Sequence, residues 1–257
     1  MPELVHLEVD EGVGIVRLDR PPANAISLQL SLDLLETLDE AGSRDDVGAL
    51  VLWGGPKLFA AGADIKEMVD HGSDEIREQV TKLGDVCDRL EAMPKISIAA
   101  ITGFALGGGF ELSLACDLRY AADDAKVGQP EVKIGVIPGA GGTQRMAWLG
   151  GVGVSRDLTY TGRQVDAGEA KALGLVERVL PADQIFEAAV GDARAFAQGP
   201  RRALAAAKEA IRAAVGSAGS AGIAREKELF VALFGTDDQR EGMRAFIEKR
   251  SPEFRGS

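Results

Sequence analysis

The side chains able to do chemistry are few in kind. The chain has two histidines, His6 in an apparent strand and His71 in a polar loop, and two cysteines, Cys87 and Cys116. That is too little for a metal cluster, a Ser-His-Asp triad or a disulfide framework. The two thiols read as reduced side chains in helices, and no metal site is expected. No G-x-S-x-G elbow and no G-x-x-x-x-G-K-[ST] phosphate loop occurs. Carboxylates and backbone N–H groups are left as the tools of any metal-free catalysis.

Three segments concentrate those tools. Phe59-Ala60-Ala61-Gly62-Ala63-Asp64-Ile65-Lys66-Glu67-Met68 lines up small residues, so a ligand can approach the main chain and exposed N–H groups can bind an oxyanion. By itself it reads first as a strand-to-helix turn capped by Asp64. Ile101-Thr102-Gly103-Phe104-Ala105-Leu106-Gly107-Gly108-Gly109-Phe110-Glu111-Leu112 joins an apolar strand to a helix beginning near Gly109, where unpaired N–H groups and the dipole favour negative charge. Glu111 falls in the first turn, either as complement to that dipole or as an acid/base group. The third segment runs from Val127 to Arg145. Pro130 biases Gln129 to an extended conformation, and Glu131 lies among apolar neighbours, a setting that raises a carboxyl pKa. Gly139, Gly141 and Gly142 read as a turn before a helix at Thr143 to Leu149. Alone, Glu131 is an ordinary surface glutamate; a second glutamate across a pocket would change that.

The elements that must position these segments alternate. Apolar, β-branched runs at Val13 to Leu18, Ala49 to Trp53, Ile96 to Ile101, Leu118 to Ala121 and Leu175 to Leu180 predict strands. Between them, Leu28 to Ala41, with leucines at 28, 32, 35 and 38, and Glu75 to Met93, stopped by Pro94, predict helices. Strands alternating with helices make an α/β chain. Beyond about residue 190 only helical segments remain: Arg201 to Val215, Ile223 to Phe234, and Asp237 to Arg250 behind the capping pattern Thr236-Asp237-Asp238-Gln239. Gly216 to Gly222 reads as a flexible turn between the first two. Three such helices enclose little core alone, so their apolar faces must pack on the main body or on another subunit.

Composition narrows the partners. Lys+Arg 29 against Asp+Glu 40 leaves a formal charge of −11, and a pI near 4.8 lacks the broad basic face that general nucleic-acid binding needs. No apolar stretch approaches a membrane span, and Met1-Pro2-Glu3-Leu4 opens no secretory signal, so a cytoplasmic protein is expected. Glycine is in excess, 32 of 257 residues, against a usual share of about 7%.

At the three segments the chain resembles the enoyl-CoA hydratase/isomerase, or crotonase, family. Arg20-Pro21-Pro22-Ala23-Asn24-Ala25 and Thr236-Asp237-Asp238-Gln239-Arg240-Glu241-Gly242-Met243 extend the likeness over nearly the whole sequence. The resemblance implies a spiral core of repeated ββα turns over residues 1–195, carrying an acyl-CoA site, and a helical region over 196–257 that builds trimers, which often pair into hexamers. It implies no cofactor, coenzyme A being part of the substrate. The N–H groups of Ala63 and Gly108 would form an oxyanion hole for the thioester oxygen. Glu111 and Glu131 match the two glutamates of hydratases, implying reversible hydration of a trans-2-enoyl-CoA in fatty-acid β-oxidation or related catabolism. Ala61, Asp64, Ile65 and Lys66 would line the coenzyme A track with Ala23 nearby, and Phe230 and Lys249 would close over the nucleotide. Thr102 and Phe104 stand where asparagine and tyrosine are frequent in hydratases. The rival readings are Δ3–Δ2 enoyl-CoA isomerisation on the same scaffold and a non-catalytic acyl-CoA-binding protein.

Overall fold

The five apolar runs become neighbours in one sheet. The computed structural model describes residues 2–253, the side chains of 213–226 and 229 excepted. The chain begins with β1 (Val5–Asp10), β2 (Val13–Leu18), α1 (Leu28–Ser43), β3 (Ala49–Trp53), α2 (Ile65–Met68) and α3 (Ser73–Ala92). It continues through β4 (Ile96–Ile101), β5 (Phe104–Leu106), α4 (Gly108–Leu114), β6 (Leu118–Ala122), β7 (Lys126–Gly128) and a 3₁₀ turn (Glu131–Ile134). Then follow α5 (Gly142–Gly150), α6 (Val152–Thr161), β8 (Gln164–Asp166), α7 (Ala167–Ala172), β9 (Arg178–Leu180), α8 (Ile185–Gln198), α9 (Arg201–Leu233) and α10 (Asp237–Glu248).

The main sheet has the order β1-β2-β3-β4-β6-β9, antiparallel only between β1 and β2. Parallel strands are covered on both faces, which is why these segments are unbroken apolar runs: Ala49 to Leu52 and Ile98 to Ile101 are fully buried. A second layer has the order β5-β7-β8, and single parallel bridges Ile26↔Ala63 and Ala60↔Ala105 prolong it backward along the chain. Each pass therefore lays one strand in the main sheet, a short extended piece in the second layer, and then a helix. This is the ββα spiral that the resemblance implied.

Three local expectations are corrected. The buried stripe of α1 is Leu30, Leu34, Leu38 and Ala41, with Leu32 exposed, not the series 28, 32, 35, 38. Ser27 sets the phase, its hydroxyl accepting from Leu30 N at 3.1 Å, and Asp33 on the same side receives the N–H groups of Glu3 and Leu4. Cys116 lies beyond α4, where Ser97 and Asp117 exchange hydrogen bonds and turn the chain into β6. Both cysteines are free and buried, and burial pushes their thiols up, Cys116 to about 12, so neither is a ready nucleophile. Finally, α9 runs through Gly216 to Gly222 as one helix of 33 residues. Each glycine there costs about 1 kcal/mol of helix propensity, but without proline the alanine-rich flanks carry the helix across.

The tail packs on the body. Thr236 caps α10, accepting from Gln239 N at 3.1 Å as the capping pattern predicts. Phe230, Val231, Phe234 and Met243 join Met68, Ile76, Val80 and Val136 in a second apolar cluster beside the main core. Lys208 fixes the start of α9: its buried ammonium donates to the Leu90 and Lys95 carbonyls at 2.8 and 3.0 Å and to Asp117 Oδ2 at 2.7 Å. The cation thus closes the carboxyl end of α3. Lys208→Met should cost about 2–3 kcal/mol through lost charge-assisted hydrogen bonds, read as a lower midpoint in urea unfolding. An unchanged midpoint would exclude this tie.

Candidate active site

The spiral leaves two peptide N–H groups side by side. Ile26 N donates to the Gly62 carbonyl and Asp64 N to the Ile26 carbonyl, so the intervening Ala63 N–H points to the opposite edge of its strand. On that edge the ladder is held only at Ala60↔Ala105, and beyond it stands the start of α4. Close packing brings the two together: a Cβ on Gly109 would lie 2.3 Å from the Ala60 carbonyl oxygen, and one on Gly108 would lie 3.9 Å from Ala63 N. Gly108 is the first residue of α4, and its N–H has no helical partner. Neither N–H has an acceptor among the described residues.

Glu111 follows one turn later. It is 3% exposed, and its Oε1 accepts from Ala140 N and Gly142 N, both at 2.8 Å. Burial pushes its carboxyl above the ordinary glutamate range, against the pull of the Gly142, Ala140 and Gly139 N–H groups and the Arg145 guanidinium. The dipole that Glu111 complements therefore belongs to α5, not to its own helix. The turn at 139–142, expected only to lead into α5, is a carboxylate cradle. Gly141 sits at φ +104°, and a Cβ on Gly142 would fall 2.4 Å from the Gln129 amide and 3.0 Å from Glu111 Cγ.

Glu131 opens the 3₁₀ turn, and the fully buried Gln129 amide nitrogen donates to its Oε1 at 2.7 Å and Oε2 at 3.1 Å. A Cβ on Gly107 would lie 3.0 Å from Glu131 Oε1, so this carboxylate reaches back over the start of α4.

All four groups border one cavity of about 270 Å³. Of the residues expected at the site, Ala61, Ala63, Ile65, Gly108, Glu111, Glu131 and Phe230 line it. Phe230 does so from α9 of the same chain, closing the end walled by Met68, Ile76, Val80 and Val136. Ala23, Asp64, Lys66 and Lys249 stand outside the wall. Ala23 touches the site through its carbonyl, which accepts from Ala61 N at 3.0 Å. Asp64 is the cap of α2, accepting from Lys66 N and Glu67 N, and pairs with Arg20 at 2.6 Å. Burial pushes its carboxyl up, but Arg20 and those N–H groups outweigh that and hold it below its ordinary value. Lys66 is exposed, and Lys249 is the exposed left-handed cap of α10. Thr102, whose hydroxyl donates to the Gly55 carbonyl, and Phe104 do not line the cavity.

Sequence reasoning missed Gln129, Gln79, Lys133 and Phe246 in or beside the wall, and the N–H groups of Ala140 and Gly142 behind it. The glycine run at 139–142 was a signal for the last pair, and Gln129 stood out beside Pro130 without being given a role; nothing in the pattern marked Gln79, Lys133 or Phe246. Among the described residues no group of histidine, cysteine, aspartate and glutamate side chains is placed to hold a metal, and no helix is long and apolar enough to cross a membrane. Chemically, the cavity offers two N–H donors for a developing oxyanion and two carboxylates for proton transfer beside it.

Known proteins share this arrangement of sequence and fold. The enoyl-CoA hydratase/isomerase family profile matches residues 8–257. A "Probable enoyl-CoA hydratase" of Mycobacterium bovis is 44% identical over 253 residues, 98% of each chain, and the 2,3-dehydroadipyl-CoA hydratase of Escherichia coli is 37% identical over 100% of each. The crystal structure of an enoyl-CoA hydratase from Bacillus anthracis matches with a TM-score of 0.81 at 39% identity, over 99% of this chain and 100% of that one. With the ββα spiral and the full-length match in agreement, the chain belongs to the enoyl-CoA hydratase/isomerase family.

Proposed function

We propose that the protein adds water reversibly to a trans-2-enoyl-CoA, giving the 3-hydroxyacyl-CoA. The observation that carries this reading is the convergence of Glu111, Glu131 and the Ala63 and Gly108 N–H groups on one largely apolar cavity. The hydratase names of the relatives support it.

In this mechanism the thioester oxygen sits between the Ala63 and Gly108 N–H groups, which stabilise the enolate formed as the substrate reacts. Loss of one such donor costs about 10²–10³ in rate in other enzymes. Glu111, ionised, takes a proton from the water whose oxygen bonds to C3. Glu131 holds that water and supplies the proton that reaches C2. Hydroxyl at C3 and hydrogen at C2 are the elements of one water; proton exchange with solvent then restores both carboxyls. The two glutamates titrate as a coupled pair, not as separate sites.

The remaining expected residues find places in the same proposal. Ala61 and Ile65 flank the pantetheine, while Ala23, Asp64, Lys66 and Lys249, outside the cavity wall, are left for the nucleotide. The acyl group runs toward Met68, Val80 and Phe230, whose apolar surface suits an aliphatic chain of fatty-acid or related catabolism. Assembly into a trimer or hexamer through the helical region 196–257, and a cytoplasmic location, belong to this proposal too.

Incubation with crotonyl-CoA should lower the conjugated thioester absorbance to an equilibrium level. If it persists at high enzyme while a 3-enoyl-CoA turns over, the protein is an isomerase; binding without turnover of either makes it a carrier. Glu111→Gln and Glu131→Gln should each lower turnover by about 10²–10⁴ and largely spare acyl-CoA binding. Wild-type turnover in both would refute their roles. Because Glu111 must be ionised and burial raises its pKa, kcat/KM should fall as pH drops through an apparent value of the pair above the ordinary glutamate range, and Glu111→Gln should shift or remove that limb.

A further inference from the structure

We infer that Arg145 is a positioning residue for the Glu111 carboxylate, acting through the backbone of the 139–142 turn, with Glu91 as its anchor. The inference rests on the hydration reading above, in which Glu111 is the base.

The chain of contacts is continuous. Arg145 Nε donates to Glu91 Oε1 at 2.7 Å, and Nη2 stands 3.4 Å from Asp88 Oδ1, so the last turns of α3 fix the plane of the guanidinium. From that plane Nη1 donates to the Ala140 carbonyl at 2.6 Å. The same residue's N–H, with that of Gly142, is bonded to Glu111 Oε1. The Arg145 N–H also returns to the Gly141 carbonyl at 2.9 Å, closing the turn on its own guanidinium. The wrap leaves no slack: a Cβ on Gly141 would fall 1.9 Å from Arg145 Nη1.

Arg145 is 1% exposed, and a buried guanidinium needs acceptors for its remaining N–H groups as well as the counter-charges Glu91 and Asp88. Packing alone would be served by any carbonyl in reach, so what matters is which carbonyl Nη1 meets. Its third contact goes to Ala140, a residue whose N–H holds Glu111. The planar fork suits the task, because it meets a carboxylate and a carbonyl at fixed angles that an ammonium cannot reproduce. The guanidinium charge acts in the same sense as the N–H groups, favouring ionised Glu111. The titratable and charged groups around the carboxylate are Cys87, Asp88 and Glu91 from α3, Arg145 from α5, Glu131 from the 3₁₀ turn and, across the cavity, Lys133 from the same turn.

The test is steady-state hydration of crotonyl-CoA by the intact protein across pH. Folding is checked by circular dichroism and by acyl-CoA binding. Arg145→Gln should lower kcat about 10–100-fold, the scale of a small misplacement of a reacting group, with KM nearly unchanged. Its acid limb should move to higher pH, since Glu111 loses both a cation and well-aimed donors. Arg145→Lys keeps the charge without the fork, and should recover the limb more fully than kcat. Glu91→Ala separates aim from charge. Removing an anion by electrostatics alone would move the limb to lower pH with kcat intact, whereas loss of the acceptor for Arg145 Nε lowers kcat. Folded Arg145→Gln or Glu91→Ala protein with wild-type kcat overturns the inference; should Arg145→Gln not fold, Arg145→Lys and Glu91→Ala decide it. A wild-type protein that does not hydrate crotonyl-CoA refutes the preceding reading instead, so the two failures are distinguishable.

Discussion

A carboxylate inside a protein is tolerated only where donors replace the water it has lost, and at Glu111 those donors are the peptide N–H groups of Ala140 and Gly142. This constraint spreads outward. Two N–H groups from Ala140 and Gly142 can converge on one oxygen only if the intervening Gly141 adopts its left-handed conformation. Gly142 must lack a side chain because the Gln129 amide and Glu111 occupy that space. Gln129 in turn holds Glu131, so the same crowding that seats one carboxylate fixes the second. The balance also sets the chemistry. Burial raises the Glu111 pKa and the donors limit the rise, leaving a carboxylate more basic than an exposed glutamate yet still ionisable.

The oxyanion donors have a different origin, in how the two layers of the spiral part. Main-sheet strands stay in parallel register from β2 to β9, whereas the second layer is stitched by single bridges and three-residue strands. Where it opens, between the bridge at Ala60 and the start of α4, one strand N–H and one helix N–H are left without partners among the described residues. No special residue creates them. They follow from pairing on one edge only, at Ala63, and from the unbonded first turn of a helix, at Gly108.

Sequence and structure agree where side-chain pattern alone decides. Four of the five apolar runs coincide with parallel strands to within a residue, because burial on both faces demands an uninterrupted apolar stretch; in the fifth only Arg178 to Leu180 pairs. Strands of three residues carry too few positions to show alternation, so β5, β7 and β8 left no trace. In α1 the leucines at 28, 32, 35 and 38 set the expected stripe, but Ser27, by fixing the first hydrogen bond, turns Leu30 and Leu34 inward instead. Both glutamates stood out through their glycine-rich surroundings and family likeness. What holds them did not, since Ala140 acts through its backbone and Arg145 reads in sequence like any other helix arginine.

The glycine excess is best understood as a device for setting distances. At Gly109 a Cβ would strike the Ala60 carbonyl, and the contact its absence permits draws the start of α4 against the 60–63 segment, making Ala63 and Gly108 neighbours. At Gly107 the missing side chain leaves room for the Glu131 carboxylate to lean over the same helix end. At Gly139 it leaves room for Val80 and Phe230, both in the cavity wall. An alanine at Gly109 would push α4 off the 60–63 segment, one at Gly139 would crowd Val80 and Phe230, and one at Gly107 would displace the Glu131 carboxylate. Glycine is therefore needed here less for freedom of the chain than for close approach, and the resulting packing is what makes the groups of the site rigid enough to act together.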